Sequence, residues 1–386
     1  MKIALGLEYP LSLRGGVSVL VEALIAGLGG EHEIILVSPD SPESLAASPA
    51  AALVRKHLYW DPQKISRATS RELAKRIAAT SAQLAHFHFG GNFGWGSRVP
   101  GQCPLPYLAR LGVPVFSSVH LIVNLLDGYC GPEKPLWFKL ALLPMAWTGK
   151  MDVLRHVEKE IAVSEHDHRL LRRWYWPLRK KLIQVYHSRI TERSAAANPP
   201  PREGFILNVG HVAPRKGQLI LAEAFARIAP RHRDWKLVLA GHFGDDKIEG
   251  QLRAIAQKSG LEERLILLGQ RDDAIDWMQR AGIYVQPSLQ EALGLALQEA
   301  MFHGCACLGT RAGGIPELIT HEETGLLVPP ADAAALAGQL ERLIEQPDLR
   351  SSLGRRAAAS IRERGMTAEA MSKRHLELYA STVRKT

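Results

Sequence analysis

The sequence of 386 residues holds only four cysteines, few aromatic residues (6%) and no long hydrophobic run. Cys103, Cys130, Cys305 and Cys307 are too few for a disulfide scaffold and show no CxxC spacing, so we expect reduced thiols in a cytosolic protein. No stretch approaches the ~18 apolar residues of a membrane-spanning helix. Glu8 interrupts the N-terminus before a signal-like apolar core is complete. With 46% hydrophobic and 23% charged residues, the chain has the composition of a globular protein, not of a fibrous or disordered one.

The excess of positive charge lies in the first half of the chain. The formal net charge is +9, and residues 1–190 hold 23 Lys and Arg against 15 Asp and Glu, whereas residues 191–386 hold 25 against 24. Such an excess favours an anionic partner: a nucleic acid, an anionic membrane surface or a phosphorylated substrate. Because no recognised nucleic-acid motif is present, we expect no nucleic-acid partner.

Short apolar runs alternate with amphipathic segments, which indicates doubly wound parallel sheets of an α/β protein. The strands expected in the first half are Lys2–Leu7, Glu33–Val37, Ala85–Phe89, Val113–Ser117 and Lys159–Val163. Those expected in the second half are Phe205–Val209, Trp235–Ala240, Leu265–Leu268, Ile283–Gln286 and Ala306–Gly309. A dehydrogenase is excluded because no GxGxxG fingerprint follows the first strand.

A proline-rich stretch, Ala195–Arg202, separates the two series of strands and is the best linker in the chain. We therefore expect two Rossmann-like domains, an N-terminal one over residues 1–198 and a C-terminal one over 203–370. A C-terminal helix over 371–386 is expected to pack back on the N-terminal domain.

The richest cluster of chemically active residues lies at 287–317, PSLQEALGLALQEAMFHGCACLGTRAGGIPE. Glu291 and Glu299 stand eight residues apart with Gly294 between them. A helix that begins at Gly294 and Leu295 presents free backbone N–H groups and a positive dipole end, which suits a diphosphate. The two carboxylates could accept hydrogen bonds from hydroxyl groups, although two surface glutamates on an ordinary helix would give the same spacing.

The order of further residues makes this pattern specific. It comprises Pro287-Ser288, Glu291, Gly294, Glu299-Ala300-Met301, Gly304, Gly313-Gly314-Ile315-Pro316-Glu317 and Gly325-Leu326-Leu327-Val328. This string resembles the signature of family 4 retaining glycosyltransferases, and the resemblance extends upstream to Val209-Gly210 and Lys216-Gly217. The resemblance implies the GT-B fold, two Rossmann-like domains facing each other across a cleft, and a nucleotide-sugar donor.

The resemblance also implies roles for residues of the second half. Glu291 would lie against hydroxyls of the donor sugar, and Glu299 would bind the ribose. Lys216 would neutralise the diphosphate as it leaves with negative charge. Gly294 and Leu295 would offer backbone N–H groups to the same region.

In the first half the resemblance is carried by Gly15, Gly16, His120 and Ser164. The two glycines would let the loop and helix approach a phosphate closely, since a Cβ would obstruct it; a tight strand-to-helix turn would need them equally. His120 would lie near the sugar, although a histidine at a strand end is often only a satisfied polar residue.

The sequence departs from the family at several positions. His211 stands where a basic residue, commonly arginine, follows the Val209-Gly210 strand end. Arg215, beside Lys216, is the candidate to compensate for it. His187-Ser188 replaces the usual Asn-Gly near the end of the N-terminal domain, so the identity of the donor is harder to infer.

Metal and cofactor are not expected. Two pairs with HxH spacing, His86/His88 and His166/His168, lack a third carboxylate or cysteine ligand at a suitable spacing. The resemblance agrees, since GT-B enzymes do not depend on a metal for the diphosphate. The nucleotide-sugar is then a substrate, and no cofactor is required.

The resemblance therefore implies a retaining glycosyltransferase that moves a sugar, most simply from a UDP-linked donor, to an acceptor hydroxyl. A phosphorylase or synthase of similar fold and a catalytically silent sugar-binding homologue are the alternatives. The retention of Glu291, Glu299 and Lys216 argues against a silent site, because buried charges are costly to keep.

The acceptor is left open between a soluble molecule and an anionic or lipid-linked one at the inner face of a membrane. The stretch 169–181, RLLRRWYWPLRKK, holds six Lys and Arg, three aromatic residues and no acid, and an apolar run at 135–147 could add a second contact. However, Leu170, Leu171, Trp174 and Leu178 have helical spacing, so they could equally belong to the core.

Overall fold

The computed structural model describes residues 1–13, 15–122, 134–191, 200–244 and 246–383. The chain divides into two compact units, the first formed by Met1–Arg189 with Ala368–Thr386 and the second by Ile190–Thr367. Most of the predicted linker Ala195–Arg202 lies outside the described residues, as does Cys130. The other three cysteines are buried free thiols.

The first unit is built on a parallel sheet of seven strands in the order β3-β2-β1-β4-β5-β6-β7. These are β1 (Lys2–Leu7), β2 (Glu33–Ser38), β3 (Val54–Tyr59), β4 (Leu84–Phe89), β5 (Val115–Val119), β6 (Lys159–Ala162) and β7 (Leu182–Gln184). The helices between them are α1 (Gly16–Leu28), α2 (Pro42–Ala46), α3 (Arg67–Ala78), α4 (Pro104–Arg110), α5 (Leu136–His156) and α6 (Glu165–Trp174).

The second unit is built on a parallel sheet of six strands in the order β10-β9-β8-β11-β12-β13. These are β8 (Glu203–Val209), β9 (Lys236–Ala240), β10 (Leu265–Gly269), β11 (Ala281–Gln286), β12 (Ala306–Thr310) and β13 (Leu326–Val328). The helices are α7 (Gln218–Ile228), α8 (Asp246–Lys258), α9 (Ala274–Arg280), α10 (Leu295–Phe302), α11 (Ile315–Leu318), α12 (Ala333–Glu345) and α13 (Pro347–Glu363).

The last helix, α14 (Ala368–Val383), belongs to the first unit and packs against α1. The two helices approach so closely that a Cβ at Gly27 would lie 2.1 Å from Oγ of Ser372. His375 and Tyr379 on α14 are completely buried in the first unit. The C-terminal residues therefore form part of the interior of the N-terminal unit.

The expected alternation of strands and helices is confirmed, with boundaries that differ by up to two residues. Three strands were missed: β3, β7 and β13. β3 lies at the edge of its sheet and has exposed charged residues, so its hydrophobic signal is weak. β7 and β13 have three residues each, too few for a period to emerge.

Each unit has its switch point next to its first strand. In the first unit β1 lies between β2 and β4, and in the second β8 lies between β9 and β11. Loops that leave the two central strands at their carboxyl ends diverge to opposite faces, which opens a crevice where ligands bind in such sheets. Functional side chains are therefore expected after β1 and β4, and after β8 and β11.

None of the helices among the described residues has the length and hydropathy needed to cross a bilayer. The longest, α5, has 21 residues but contains Lys139, Pro144 and Lys150. It joins β5 to β6 within the first unit.

A completely buried ion pair ties α5 to β6. Lys150 Nζ lies 2.6 Å from Glu160 Oε2, and both side chains are fully excluded from solvent. Ser117 Oγ donates a hydrogen bond of 3.0 Å to the same carboxylate oxygen, and the Lys150 ammonium lies 4.7 Å from the centre of the Phe89 ring. Each charge thus depends on the other for its compensation.

We predict that Lys150→Met destabilises the protein by about 3–5 kcal/mol, because it leaves the carboxylate of Glu160 buried and uncompensated. The double variant Lys150→Met/Glu160→Leu should be less destabilised than Lys150→Met, since both charges are gone. Denaturant unfolding followed by circular dichroism measures both. A double variant at least as unstable as the single one would contradict this account.

Candidate active site

The carboxyl ends of β8 and β11 bring Lys216 and Glu291 together in the second unit. Lys216 Nζ lies 2.6 Å from Glu291 Oε2, with the two side chains 16% and 9% exposed. Lys216 closes the short 3₁₀ helix Pro214–Lys216 that follows β8, and Glu291 lies in the loop between β11 and α10. Two residues 75 positions apart therefore form one charged site.

The Glu291 carboxylate is held by neutral donors as well. Gln286 Nε2 and Ser288 Oγ donate to Glu291 Oε2 at 3.0 and 3.1 Å, and Gln286 also donates to Ser288 at 2.9 Å. Tyr284 in turn donates to Gln286 Oε1 at 2.9 Å. The sequence analysis missed Gln286; its signal is a polar residue at the end of an otherwise apolar buried strand.

Burial on its own raises the pKa of Glu291, but the charge and hydrogen bond of Lys216 outweigh it, with help from Arg215 and Ser288. The net pKa lies below the usual value for a glutamate. Glu291 is therefore an anion at neutral pH, fixed in orientation by three donors.

Glycines let the loops of this site touch backbone to backbone. Gly217 has φ +72°, and a Cβ there would lie 2.0 Å from the carbonyl oxygen of Pro287. A Cβ at Gly313 would lie 1.7 Å from the carbonyl oxygen of Glu291. The Gly-Gly step of the GGIPE segment thus supports the loop that carries Glu291, since no other residue fits the approach.

The predicted helix start is confirmed: α10 begins at Leu295, with Gly294 as its N-cap at φ +103°. Gly294 adopts a conformation that side chains disfavour. The first backbone N–H groups of α10 lack intrahelical partners, as at every helix start. Glu299 is buried at 4% exposure within α10.

His211 and Arg215, the position that departs from the family and its candidate replacement, make different contacts from Lys216. His211 is exposed and stacks on His242 at a ring distance of 5.6 Å. Partial burial, together with His242, Arg215 and Lys216, lowers its pKa, so it is neutral. Arg215 contributes its charge to the field at Glu291, but among the described residues its guanidinium makes no hydrogen bond. Lys216 alone of the three contacts Glu291.

In the first unit, Gly15 caps the start of α1 and Gly16 is its first residue, directly after the loop from β1. Gly15 has φ −75°, which any residue adopts, and a Cβ at either glycine would meet no atom of the described residues within 4 Å. Contacts among the described residues therefore do not require glycine at these positions.

Glu8 was not singled out as a site residue from the sequence. It begins the loop that leaves β1 at the switch point and accepts hydrogen bonds from the backbone N–H groups of Gly90, at 3.3 Å, and Trp95. Burial raises its pKa, against those two hydrogen bonds and the charges of Arg98 and Lys150. Glu8 thereby fixes the glycine-rich loop 90–96, whose Trp95 is fully buried and not a surface for stacking.

His120 follows β5 and belongs to a cluster of five histidines, which the sequence did not reveal. The members are His86 and His88 on β4, His120, His187 after β7, and His375 on α14. Adjacent rings lie 4.3 to 5.4 Å apart between centroids. Tertiary structure alone brings them together, because they come from four elements across most of the chain.

Hydrogen bonds connect parts of this histidine cluster. His86 bonds through Nδ1 to the Tyr379 hydroxyl at 2.5 Å and through Nε2 to Ser118 Oγ at 2.8 Å. His88 Nδ1 lies 3.0 Å from His120 Nε2. Within the described chain, the group of side chains that converge as metal ligands is His232, Glu341 and Glu345, and neither HxH pair belongs to such a group.

The stretch 169–181 divides into core and surface. Leu171 and Tyr175 are buried, and Leu170, Trp174 and Leu178 pack partly buried against the core, as the alternative interpretation expected. Arg172, Arg173, Arg179, Lys180 and Trp176 are exposed. Of the three aromatic residues, therefore, Trp176 is available at the surface.

Comparison with known families covers nearly the whole chain. Residues 14–198 match the model described as "Glycosyltransferase Family 4", and residues 190–360 match "Glycosyl transferases group 1". An alpha-D-kanosaminyltransferase of Streptomyces kanamyceticus is 32% identical over 68% of this chain and 72% of its own. The chain belongs to glycosyltransferase family 4.

Two further comparisons extend over the full chain. A phosphatidyl-myo-inositol mannosyltransferase of Mycolicibacterium smegmatis is 25% identical over 94% of this chain and 89% of its own. The structure of Anabaena HepE in complex with UDP-glucose has a TM-score of 0.72 at 17% identity, covering 99% of this chain and 100% of its own. The fold is therefore GT-B, as expected. Three further curated relatives are matched over only 41%, 49% and 43% of their length.

The histidine cluster makes the stability of the protein depend on pH. Burial, reinforced by neighbouring histidines, lowers the pKa of His86, His88 and His187 well below 6.5, and burial lowers that of His120 to about 3 and of His375 to about 4. The folded chain keeps these rings neutral at pH values where the unfolded chain protonates them. The stabilisation is complete above pH ~7 and is lost progressively as pH falls.

We predict that the free energy of unfolding falls between pH 7 and pH 5, by up to about 1.4 kcal/mol per pH unit for each histidine. Denaturant unfolding at a series of pH values measures this slope. His375→Gln should reduce it, whereas His32→Gln, outside the cluster, should not. Equal slopes in wild type and His375→Gln would contradict the assignment.

Proposed function

We propose that this enzyme is a retaining glycosyltransferase that transfers a sugar from a UDP-linked donor to an acceptor hydroxyl at an anionic membrane surface, without a metal ion. The observation that carries the proposal is the Lys216–Glu291 pair beside the N-terminus of α10. It places a cation, a fixed carboxylate and free backbone N–H groups at the switch point of one Rossmann-like sheet.

A departing nucleoside diphosphate fits this arrangement of charges. The bond between the anomeric carbon and the diphosphate oxygen breaks, and negative charge develops on the leaving oxygen. Lys216 and the N–H groups at Gly294 and Leu295 stabilise that charge in place of a metal ion. Glu291, an anion in fixed orientation, positions hydroxyls of the donor sugar.

Retention follows from attack on the face that the diphosphate leaves. The acceptor oxygen bonds to the anomeric carbon, and its proton passes to an oxygen of the leaving phosphate. No protein group need take that proton, so Glu291 acts by position and charge. In the first unit, His120 is the candidate to contact a substrate hydroxyl.

UDP is preferred as the nucleotide because UDP-glucose is bound in the structurally similar HepE. Glu299 is the candidate to bind the ribose hydroxyls. A carboxylate that accepts hydrogen bonds from two hydroxyls holds a ribose in fixed orientation.

The alternative of a catalytically silent homologue is disfavoured by the surroundings of Glu291. Three donors hold its carboxylate, and two backbone approaches that only glycine permits support its loop. A site without function would have no reason to retain a nearly buried charge at this cost.

The acceptor is proposed to lie at a membrane because α5 has an exposed apolar stripe. Leu136, Trp137, Leu140 and Met145 are 61%, 70%, 51% and 37% exposed, while Lys139 between them is turned inward at 8%. Leu136, Trp137 and Leu140 share one face of the helix, whereas Met145 lies further along it on another side. Large exposed apolar patches mark interaction surfaces.

The partner is assigned as an anionic lipid surface on the basis of charge. The same unit exposes Arg172, Arg173, Arg179 and Lys180, and Trp176 beside them is 67% exposed. Basic side chains near an anionic surface contribute ~1 kcal/mol each, and tryptophan favours the interface. A relative whose name includes phosphatidyl-myo-inositol supports a lipid acceptor.

We predict that Lys216→Ala lowers kcat by about a hundredfold or more, because the leaving diphosphate loses its cation. Arg215→Ala should lower it less than about tenfold, since Arg215 acts only through its field. The measurement is release of UDP from UDP-sugars, with GDP-sugars tested in parallel.

Arg215→Ala is the matched control, since it removes the same charge one residue away. Equal losses in the two variants would overturn the role given to Lys216. Turnover of GDP-sugars alone would overturn the choice of UDP, and binding of a donor with no transfer to any acceptor extract would favour the silent homologue.

We predict that the protein sediments with anionic vesicles at low salt and that added salt releases it. Replacing Arg172, Arg179 and Lys180 by serine should weaken sedimentation, as should Trp137→Ser. The matched control replaces three exposed basic residues of the second unit, Arg233, Lys236 and Lys258, by serine and should bind as wild type. Failure to sediment at low salt would contradict the proposed membrane contact and favour a soluble acceptor.

A further inference from the structure

The hydrogen bond between His88 and His120 constrains the positions of the protons on both rings as well as the positions of the rings. His88 is completely buried, His120 half-buried, and Nδ1 of the first lies 3.0 Å from Nε2 of the second. A hydrogen bond between two neutral imidazoles requires one nitrogen to donate and the other to accept. Two arrangements of protons are possible, and they leave different groups exposed on His120.

Both rings are neutral, which makes the choice between these arrangements meaningful. Burial lowers the pKa of His88 well below 6.5, and the nearby His86, His120 and His375 lower it further. Burial likewise lowers the pKa of His120, to about 3. Each ring therefore carries a single proton at neutral pH.

The surroundings of His88 decide where its proton lies. Its other nitrogen, Nε2, is buried and has no hydrogen-bond partner within the described residues. If His88 accepted at Nδ1, its proton would be an N–H at Nε2 buried without an acceptor. If His88 donates at Nδ1, its Nε2 carries no proton and is an acceptor that receives no hydrogen bond. Orphaned buried N–H groups are the rarer and costlier of the two.

We propose that His88 is a positioning residue: it donates from Nδ1 to Nε2 of His120 and thereby holds His120 with its own proton on Nδ1. The Nδ1–H of His120 makes no hydrogen bond to any described residue, so it can donate to a substrate oxygen. His120 then acts as a hydrogen-bond donor and not as a base.

This inference rests on the proposed function for the identity of the substrate oxygen, a sugar hydroxyl. The tautomer of His120 does not depend on the proposed function, because the chain sets it by itself. The anchor of the arrangement is β4: two residues before His88, His86 is bonded to Ser118 on β5 and to Tyr379 on α14. The C-terminal helix α14 thus holds, through this hydrogen bond, the strand that carries His88.

The direct test is the tautomer of His120, read from ¹⁵N chemical shifts of the full-length protein labelled at histidine, with the His120→Asn variant to assign the signal. A proton on Nδ1 is expected. A proton on Nε2 would overturn the proposal whatever the activity of the enzyme, so this result is separate from the proposed function.

Two replacements of His88 test the donor itself. An asparagine amide can place a donor near the position of Nδ1, whereas a glutamine amide reaches toward Nε2. In His88→Asn the proton of His120 should remain on Nδ1, and turnover should stay within about threefold of wild type. In His88→Gln turnover should fall about tenfold, the value of one hydrogen bond, with KM for donor or acceptor raised.

Tyr379→Phe is the matched control, because it removes a hydrogen bond to His86 but none to His88. Its His120 signal should keep the Nδ1 proton. Equal losses in His88→Asn and His88→Gln, with the His120 tautomer unchanged in both, would mean that His88 acts only through packing.

Discussion

The order of strands in each parallel sheet is the constraint on which the rest of the structure depends. A right-handed crossover between successive parallel strands is nearly obligatory. A parallel sheet whose strand order reverses at its first strand must therefore send neighbouring loops to opposite faces. β1 and β4 meet this condition in the first unit, as do β8 and β11 in the second. Polar side chains can gather there without entering the apolar interior, and Glu8, Lys216 and Glu291 follow these strands.

Two ion pairs show how position decides what a charge can do. Lys150 and Glu160 are completely buried and compensate each other inside the first unit. Lys216 and Glu291 have a similar separation but retain 16% and 9% exposure at the ends of two strands. A pair that keeps contact with solvent can exchange partners with a ligand, whereas a completely buried pair cannot do so without unfolding. The first pair is therefore structural and the second is suited to chemistry.

The histidine cluster adds a constraint of a different kind. Five neutral rings packed together need no countercharge, but they tolerate only certain proton positions, because each buried N–H requires an acceptor. The C-terminal helix contributes His375 and Tyr379 to this cluster. Residues at the end of the sequence thus help to order the interior next to His120.

The sequence by itself determined the α/β alternation, the start of α10 at Leu295 after Gly294, and the family, because these depend on local periodicity, helix capping and glycines at fixed spacing. It indicated Glu291 and Lys216 separately, but only the tertiary structure paired them, since their contact spans 75 positions. The partners of Gln286, Glu8 and His120 could not have been predicted, because a polar residue at the end of a strand carries no sign of which residue it will meet. Contacts across a sheet are decided by strand order and register, which long-range packing fixes and local sequence does not encode.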